Sequence, residues 1–307
     1  MGVIYLMLNP VKEIEKLKKE RNAVIVAHNY QPDSVQVIAD YIGDSFGLSK
    51  KAAELKEEVI VFCGVKFMAE SAKIVSPEKI VLIPEINAGC PMADMADLES
   101  LKGFKQQHPD AAVVSYVNSS AAVKSESDIC CTSSNAVKIV NLLPQEKIIF
   151  LPDKNLGDYV NKRTDKEIIF WEGFCPTHHR VMLEDVKNSQ EIYPDAPILA
   201  HPECRAEVLE KADYIGSTAG ILDYAKKSDS EKLIIGTEKG LLYRLKKENP
   251  EKEFHLLSSQ LICRNMKKTN LKKIFNSLKN MDGEIKIDEK IRIKAEKALQ
   301  AMIELGE

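Results

Sequence analysis

No stretch of the 307-residue sequence approaches the roughly 18 apolar residues that a membrane-spanning helix needs. The apolar run Gly2–Leu8 is also too short for a secretory core. Basic residues are not in excess: 43 Lys and Arg face 46 Asp and Glu, and a net charge of −3 gives no field for nucleic acid or anionic lipid. Walker A, Gly-x-Gly-x-x-Gly and His-Glu-x-x-His sequences are missing. Nucleotide hydrolysis, dinucleotide oxidoreduction and zinc proteolysis therefore lack their usual signatures. No Cys-x-x-Cys pair occurs either, which removes the zinc ribbon and the thioredoxin-type motif. The seven cysteines are odd in number and widely scattered, and a chain with 44% hydrophobic residues has core enough to dispense with disulfide staples. The expectation is a cytoplasmic protein whose thiols are available for metal or redox chemistry.

What is present is an alternation of short apolar runs with helical patterns. Val24–Ala27, Val59–Phe62, Ile80–Ile83, Val113–Val117, Ile148–Leu151, Ile168–Trp171, Ile198–Ala200 and Leu233–Ile235 are rich in β-branched residues and mostly free of polar alternation. Parallel strands covered on both faces read this way. Amphipathic segments such as Ser49–Lys56, Asn135–Leu143 and Ala219–Lys227 lie between them, which predicts an α/β fold with parallel sheets.

Self-comparison divides the chain further. VIVAHNY reaches its strand end at His28, VVSYVNS at Tyr116 and PILAHPE at His201, in steps of 88 and 85 residues. ADYIGDS, SDICCTS and ADYIGST follow with the same steps, placing Ser45, Ser133 and Thr218 at equivalent points. Cys90, Cys175 and Cys263 come 62, 59 and 62 residues after the strand-end residues, and a helical pattern starts eight residues later at Leu98, Leu183 and Leu271. Four landmarks in fixed order, three times over, predict three homologous three-layer α/β/α domains with parallel sheets around a pseudo-threefold axis. Their bounds are 1–95, 96–181 and 182–270, with a C-terminal helical segment at 271–307.

Equivalent residues of three such units meet at the centre. Cys90, Cys175 and Cys263 repeat, whereas Cys63, Cys130, Cys131 and Cys204 do not and read as core or supporting residues. Three buried cysteines can act simply as small hydrophobes. Three converging thiolates instead make a metal or cluster site, suiting zinc with an open fourth position or a [4Fe–4S] cluster with one free iron. Spacing does not separate the two. Ligands of open parallel sheets bind beyond the carboxyl ends of the strands, where His28, Asn29, Tyr30, Tyr116, Asn118, His201 and Glu203 stand. Ser45, Ser133 and Thr218 each precede a helical pattern. They either cap their helices or help three helix N-termini hold an anionic ligand. His178, in CPTHH, can add a cation or a proton donor.

AHNYQ (27–31), IADYIGDS (38–45), CPMA (90–93), YVNSS (116–120), PDKNLG (152–157), CPTHH (175–179), AHPEC (200–204), YIGST (214–218), GTEKG (236–240) and CRNMK (263–267) resemble, in order, the quinolinate synthases, A-type enzymes of NAD biosynthesis. The resemblance runs from about residue 20 to 280. It implies a triangle of three α/β/α domains around a [4Fe–4S] cluster held by Cys90, Cys175 and Cys263. Some relatives have Cys-x-x-Cys-x-x-Cys at the last site; here Cys263 is followed by Arg-Asn-Met-Lys-Lys, so a disulfide switch there is impossible. The implied reaction condenses iminoaspartate with dihydroxyacetone phosphate to quinolinate, losing phosphate and two waters, with the open iron as Lewis acid. In that reading Glu203 is the general base and Tyr30 its proton-relay partner. Tyr116 stands near the open iron, and His28, Ser45, Asn118, Ser133, His178, His201, Ser217 and Thr218 position substrate. A transient contact with an iminoaspartate-producing enzyme follows from how readily iminoaspartate hydrolyses. A three-cysteine zinc lyase or aldolase remains an alternative. A non-catalytic cluster carrier is another, although a carrier has no use for so many polar strand ends.

Overall fold

The computed structural model describes residues 10–306, and Gly2–Leu8 lies outside the described residues. Twelve strands form three sheets among the described residues. The first holds β1 (Ala23–His28), β2 (Tyr41–Gly43), β3 (Val59–Cys63) and β4 (Ile80–Leu82). The second holds β5 (Ala111–Tyr116), β6 (Ile129–Cys131), β7 (Lys147–Leu151) and β8 (Glu167–Phe170). The third holds β9 (Ile198–Ala200), β10 (Tyr214–Ile215), β11 (Lys232–Gly236) and β12 (Glu253–Leu256). All pairings are parallel, and the order is the same each time: second, first, third, fourth.

Each sheet is covered on both faces, which is why its central strands are apolar without alternation. In the first sheet Val24, Val26, Ile60 and Phe62 pack to one side and Ile25, Ala27, Val61 and Cys63 to the other. The second and third sheets repeat this arrangement. The eight expected strands are present with ends shifted by a residue or two. β2, β6, β10 and β12 are additional. They are edge strands, three of them only two or three residues long, and too short to show a pattern.

The repeated ADYIGDS-type motif has a structural cause. Its aspartate pairs with both backbone groups of one residue in the first strand of each sheet. Asp40 N–H donates to Ile25 O at 2.9 Å while its Oδ2 accepts from Ile25 N–H at 2.8 Å. Asp128 does the same to Val113 (3.0 and 2.7 Å), and Asp213 to Ile198 (2.9 and 2.8 Å). The bracket fixes where the edge strand starts, and therefore which residues leave its carboxyl end.

The helices starting at Leu98, Leu183 and Leu271 begin where the sequence places them. Two have a side-chain cap on the first turn: Asp97 Oδ1 accepts from Ser100 N–H, and Asn270 Oδ1 from Lys273 N–H. Leu98–Gln107 and Leu183–Ile192 cover the second and third sheets. The third, Leu271–Asn280, is followed by no sheet of its own among the described residues. It docks on the first sheet, placing Ile274 and Leu278 beside Ile14 of the helix Pro10–Glu20. Ala295, Ala298, Leu299 and Met302 of the helix Glu289–Gly306 pack into the core of the second sheet. Helices of the segment 271–307 thus pack against the first and second sheets.

Removing one aspartate bracket leaves a buried strand N–H without its acceptor, at about 1–3 kcal/mol. Asp128→Ala is expected to lower stability by that amount in denaturant unfolding of the iron-free chain, with the slope of the transition unchanged. A change below the error of the measurement would contradict the bracket.

Candidate active site

The strand order reverses between the first and third strand of each sheet, and such a switch point opens a crevice beyond the carboxyl ends. All three crevices contribute to one cavity of about 290 Å³. Its wall includes His28 and Tyr30 from the first unit, Tyr116 and Asn118 from the second, and His201 and Glu203 from the third.

His28 and His201 are held in the same way. Tyr30 N–H donates to His28 Nδ1 at 3.1 Å, and Glu203 N–H to His201 Nδ1 at 3.3 Å. With Nδ1 accepting, each neutral imidazole carries its proton on Nε2. Burial lowers the pKa of both to about 3. At neutral pH they are uncharged donors.

A chain of hydrogen bonds connects the three units. Tyr30 Oη lies 2.6 Å from Thr237 Oγ1, and Thr237 Oγ1 2.9 Å from His178 Nε2. His178 Nδ1 stands 2.6 Å from Glu203 Oε2, and Tyr116 Oη donates to Glu203 Oε1 at 2.7 Å. Burial opposes ionisation of Glu203, but the hydrogen bonds from His178 and Tyr116 outweigh it and hold the carboxyl below the usual range. Burial and the Glu203 charge push both tyrosines well above 10, so they remain donors. The carboxylate accepts from His178 Nδ1–H, which leaves Nε2 to accept from Thr237 and the Thr237 oxygen to accept from Tyr30. Every proton in the chain then has a defined direction.

Cys90, Cys175 and Cys263 also line the cavity, each half-buried. The same backbone bond ties each cysteine loop to its sheet. Lys66 N–H donates to Ala88 O at 2.8 Å, Lys154 N–H to Gly173 O at 2.8 Å and Lys239 N–H to Leu261 O at 2.9 Å, each acceptor two residues before the cysteine. Cys90 and Cys175 are followed by proline and a short helix. Backbone N–H groups of Met92 and Ala93 bond back to Cys90, His178 to Cys175, and Asn265 and Met266 to Cys263. Burial raises all three thiols, Cys90 to about 12. Charge on Cys263 raises Cys90, and charge on Cys90 raises Cys175, so as thiolates they would repel one another. Three soft donors with converging charge and a polar wall opposite fit a cationic group that takes three thiolates and keeps one position open. Cys175, His178 and Glu203 also bring one ligand atom each within 4.8 Å of one another. The other four cysteines are fully buried away from the cavity.

Ser45, Ser133, Thr218 and His178 line the cavity with the strand-end residues, and the buried Oδ1 of Asn118 has no partner. The helix caps differ from expectation. Asp44 caps Ser45–Glu54 by accepting from Gly47 N–H, and Ser217 caps Thr218–Lys227 by accepting from Gly220 N–H. Ser45 and Thr218 are thus first helical residues, Ser133 sits in the turn before Ala136–Leu142, and Ser217 faces its own helix rather than the cavity. Tyr30 meets Glu203 only through Thr237 and His178. Thr237 was missed although GTEKG was noted; its signal is its position at the carboxyl end of β11. Arg180 and Arg264, exposed at the cavity's edge, were missed too, and among the described residues they are the arginines and lysines of its lining.

A family model described as Quinolinate synthetase A protein matches residues 12–304. A quinolinate synthase of Caldicellulosiruptor saccharolyticus is 57% identical over 296 residues, covering 96% of this chain and 98% of the relative. One from a Geobacter species is 55% identical, over 95% and 96% of the two chains, and one from Methanosarcina barkeri is 54% identical over the same shares.

The depressed imidazoles predict a pH dependence. Between pH 6.5 and 3 the unfolded chain binds protons that folded His28 and His201 refuse, so stability falls as pH drops through that window. Each histidine contributes up to about 1.4 kcal/mol per pH unit. Unfolding of iron-free His201→Gln should therefore lose stability less steeply between pH 6 and 4 than the unaltered chain. Equal slopes would show His201 to be protonated in the folded state.

Proposed function

The chain belongs to the quinolinate synthase family, and from that premise we propose that it joins iminoaspartate to dihydroxyacetone phosphate in this cavity, releasing phosphate and two waters. It is an enzyme of NAD biosynthesis. The observation that carries the finer reading is the meeting of one cysteine from each repeat at a cavity that also holds an ionised glutamate. Cys90, Cys175 and Cys263 would hold a [4Fe–4S] cluster. When bound, the cluster supplies an iron free of protein thiolate that acts as a Lewis acid on substrate oxygen.

The chain's own residues supply binding and proton transfer. The substrates carry two carboxylates and a phosphate. Arg180 and Arg264 draw them to the mouth by charge. Further in, the neutral Nε2–H groups of His28 and His201, the hydroxyls of Ser45, Ser133 and Thr218, and the N-terminus of the helix Thr218–Lys227 replace water as donors. Asn118 offers an acceptor in need of a partner. A proton taken from substrate beside Tyr30 passes as a relay: Tyr30 to Thr237, Thr237 to His178 Nε2, and His178 Nδ1 to Glu203. Glu203 ends protonated and able to return that proton to a departing hydroxyl. No bulk water takes part in the relay, which suits a substrate that hydrolyses easily.

The segments 1–95, 96–181 and 182–270 serve as three domains in this reading, one sheet each. Seven free cysteines support a reducing, cytoplasmic setting. No helix among the described residues is long and apolar enough to cross a membrane. The lability of iminoaspartate supports a transient contact with the enzyme that produces it.

One set of anaerobic preparations tests the assignment. Cys90→Ser, Cys175→Ser and Cys263→Ser should each lose most of their iron and their quinolinate formation, while Cys63→Ala keeps both. Glu203→Gln should keep its iron and bind quinolinate at least as well, with turnover lower by roughly 10²-fold or more. Zinc in place of iron and sulfide, or near-normal turnover of Glu203→Gln, would overturn the reading.

A further inference from the structure

The three cysteine loops share the lysine backbone bond but differ one residue earlier. Two residues beyond the third strand of each sheet stand Val65, Asp153 and Glu238. Asp153 Oδ2 accepts from Cys175 N–H at 2.9 Å, and Glu238 Oε1 accepts from Cys263 N–H at 3.0 Å. The second oxygen of each carboxylate is also occupied. Asp153 Oδ1 takes Leu156 N–H at 2.8 Å, and Glu238 Oε2 takes Gly240 N–H at 2.7 Å and Lys267 Nζ at 2.8 Å. Both side chains are fully buried. Val65 offers Cys90 no such acceptor.

A fully buried carboxyl group is costly unless its oxygens are engaged. Here two repeats retain one at the same point of the fold, with one oxygen spent on a cysteine N–H. The spacing to the cysteine differs, 22 residues for Asp153 and 25 for Glu238, yet the bond is the same. We propose that Asp153 and Glu238 are positioning residues that brace the Cys175 and Cys263 loops in ligating geometry, leaving the Cys90 loop as the compliant leg of the cluster site. Each brace fixes the backbone from which the sulfur projects, so the sulfur is placed before any iron arrives. The Cys90 loop is held by the lysine bond, by Ala88 N–H to Glu85 O and Asp94 N–H to Cys90 O, each at 3.0 Å, and by Lys268 Nζ to Asn87 O at 2.7 Å. No carboxyl from the strand end reaches Cys90 N–H, so Cys90 is the one that adjusts as the cluster enters. The inference rests on the reading of the three cysteines as cluster ligands.

The test compares loaded full-length Asp153→Asn and Glu238→Gln with the unaltered enzyme, using Asp97→Asn as a control that alters a helix cap without touching a cysteine. Each amide keeps one acceptor oxygen and loses the other. Loss of partners around ligands commonly costs 10–100-fold, so iron should leave Asp153→Asn and Glu238→Gln under chelator roughly 10-fold faster, and Asp97→Asn at the unaltered rate. Unaltered release from Asp153→Asn and Glu238→Gln would overturn the proposal, as would equal acceleration in Asp97→Asn. Amide hydrogen exchange of the unaltered iron-free chain keeps the proposal falsifiable if a variant fails to fold. The Cys175 and Cys263 amides should exchange at least about 10-fold more slowly than that of Cys90, and equal rates would overturn it. Full iron in Cys175→Ser would instead mark failure of the ligand reading, a result distinct from normal iron retention in Asp153→Asn.

Discussion

A single backbone hydrogen bond, made three times, sets the geometry of the molecule's centre. The lysine N–H just beyond the third strand of each sheet holds the carbonyl two residues before Cys90, Cys175 or Cys263. Because the bond is to the main chain, it does not depend on which side chains line the loop. Each sheet therefore delivers its cysteine to the same place relative to its own strand ends. The aspartate brackets at Asp40, Asp128 and Asp213 perform the complementary task for the first strands, from whose ends the histidines, tyrosines and Glu203 project. Ligand loops and proton-handling residues are fixed to the same three frames, so the cavity is an outcome of packing the sheets together.

Inside the cavity, charge is used sparingly. The two strand-end imidazoles are buried and neutral, and the Glu203 carboxylate beside them is engaged by hydrogen bonds from His178 and Tyr116. Among the described residues, the lining's own permanent positive charge is Arg180 and Arg264 at the edge, while Lys267 stands behind the wall paired with Glu238. In the proposed reaction, anionic substrates would be attracted at the mouth and bound further in by neutral donors. Such donors stabilise charge developing in a reaction without the tight ground-state binding that buried cations would impose. In the proposed reaction the relay from Tyr30 to Glu203 would move a proton through the wall of the cavity and leave its interior free for substrate.

Much of this was legible in the sequence because the repeat carries it. Residues at strand ends and the cysteines recur at nearly fixed steps, and continuous β-branched runs mark strands covered on both faces. The short edge strands were not legible, because two or three residues paired along one side carry no periodicity. Thr237 was overlooked because its role is a contact across 207 residues with Tyr30 and 59 with His178. Asp153 and Glu238 were hidden differently: they differ in type, stand at unequal distances from their cysteines, and have a valine as third equivalent. The caps at Asp44 and Ser217 were misjudged by one residue, since two adjacent polar residues can each cap a helix and only the backbone decides between them.

The central claim is the proposal that three equivalent cysteines, one per repeat, would hold a single [4Fe–4S] cluster with one iron free of protein thiolate. A crystal structure of the anaerobically reconstituted enzyme with quinolinate, phased on the iron signal, tests it most directly. The account predicts one cubane with Sγ of Cys90, Cys175 and Cys263 on three irons and the product's oxygen or nitrogen on the fourth. A lone metal ion held by Cys175, His178 and Glu203, or a fourth iron ligated by another cysteine, would contradict it.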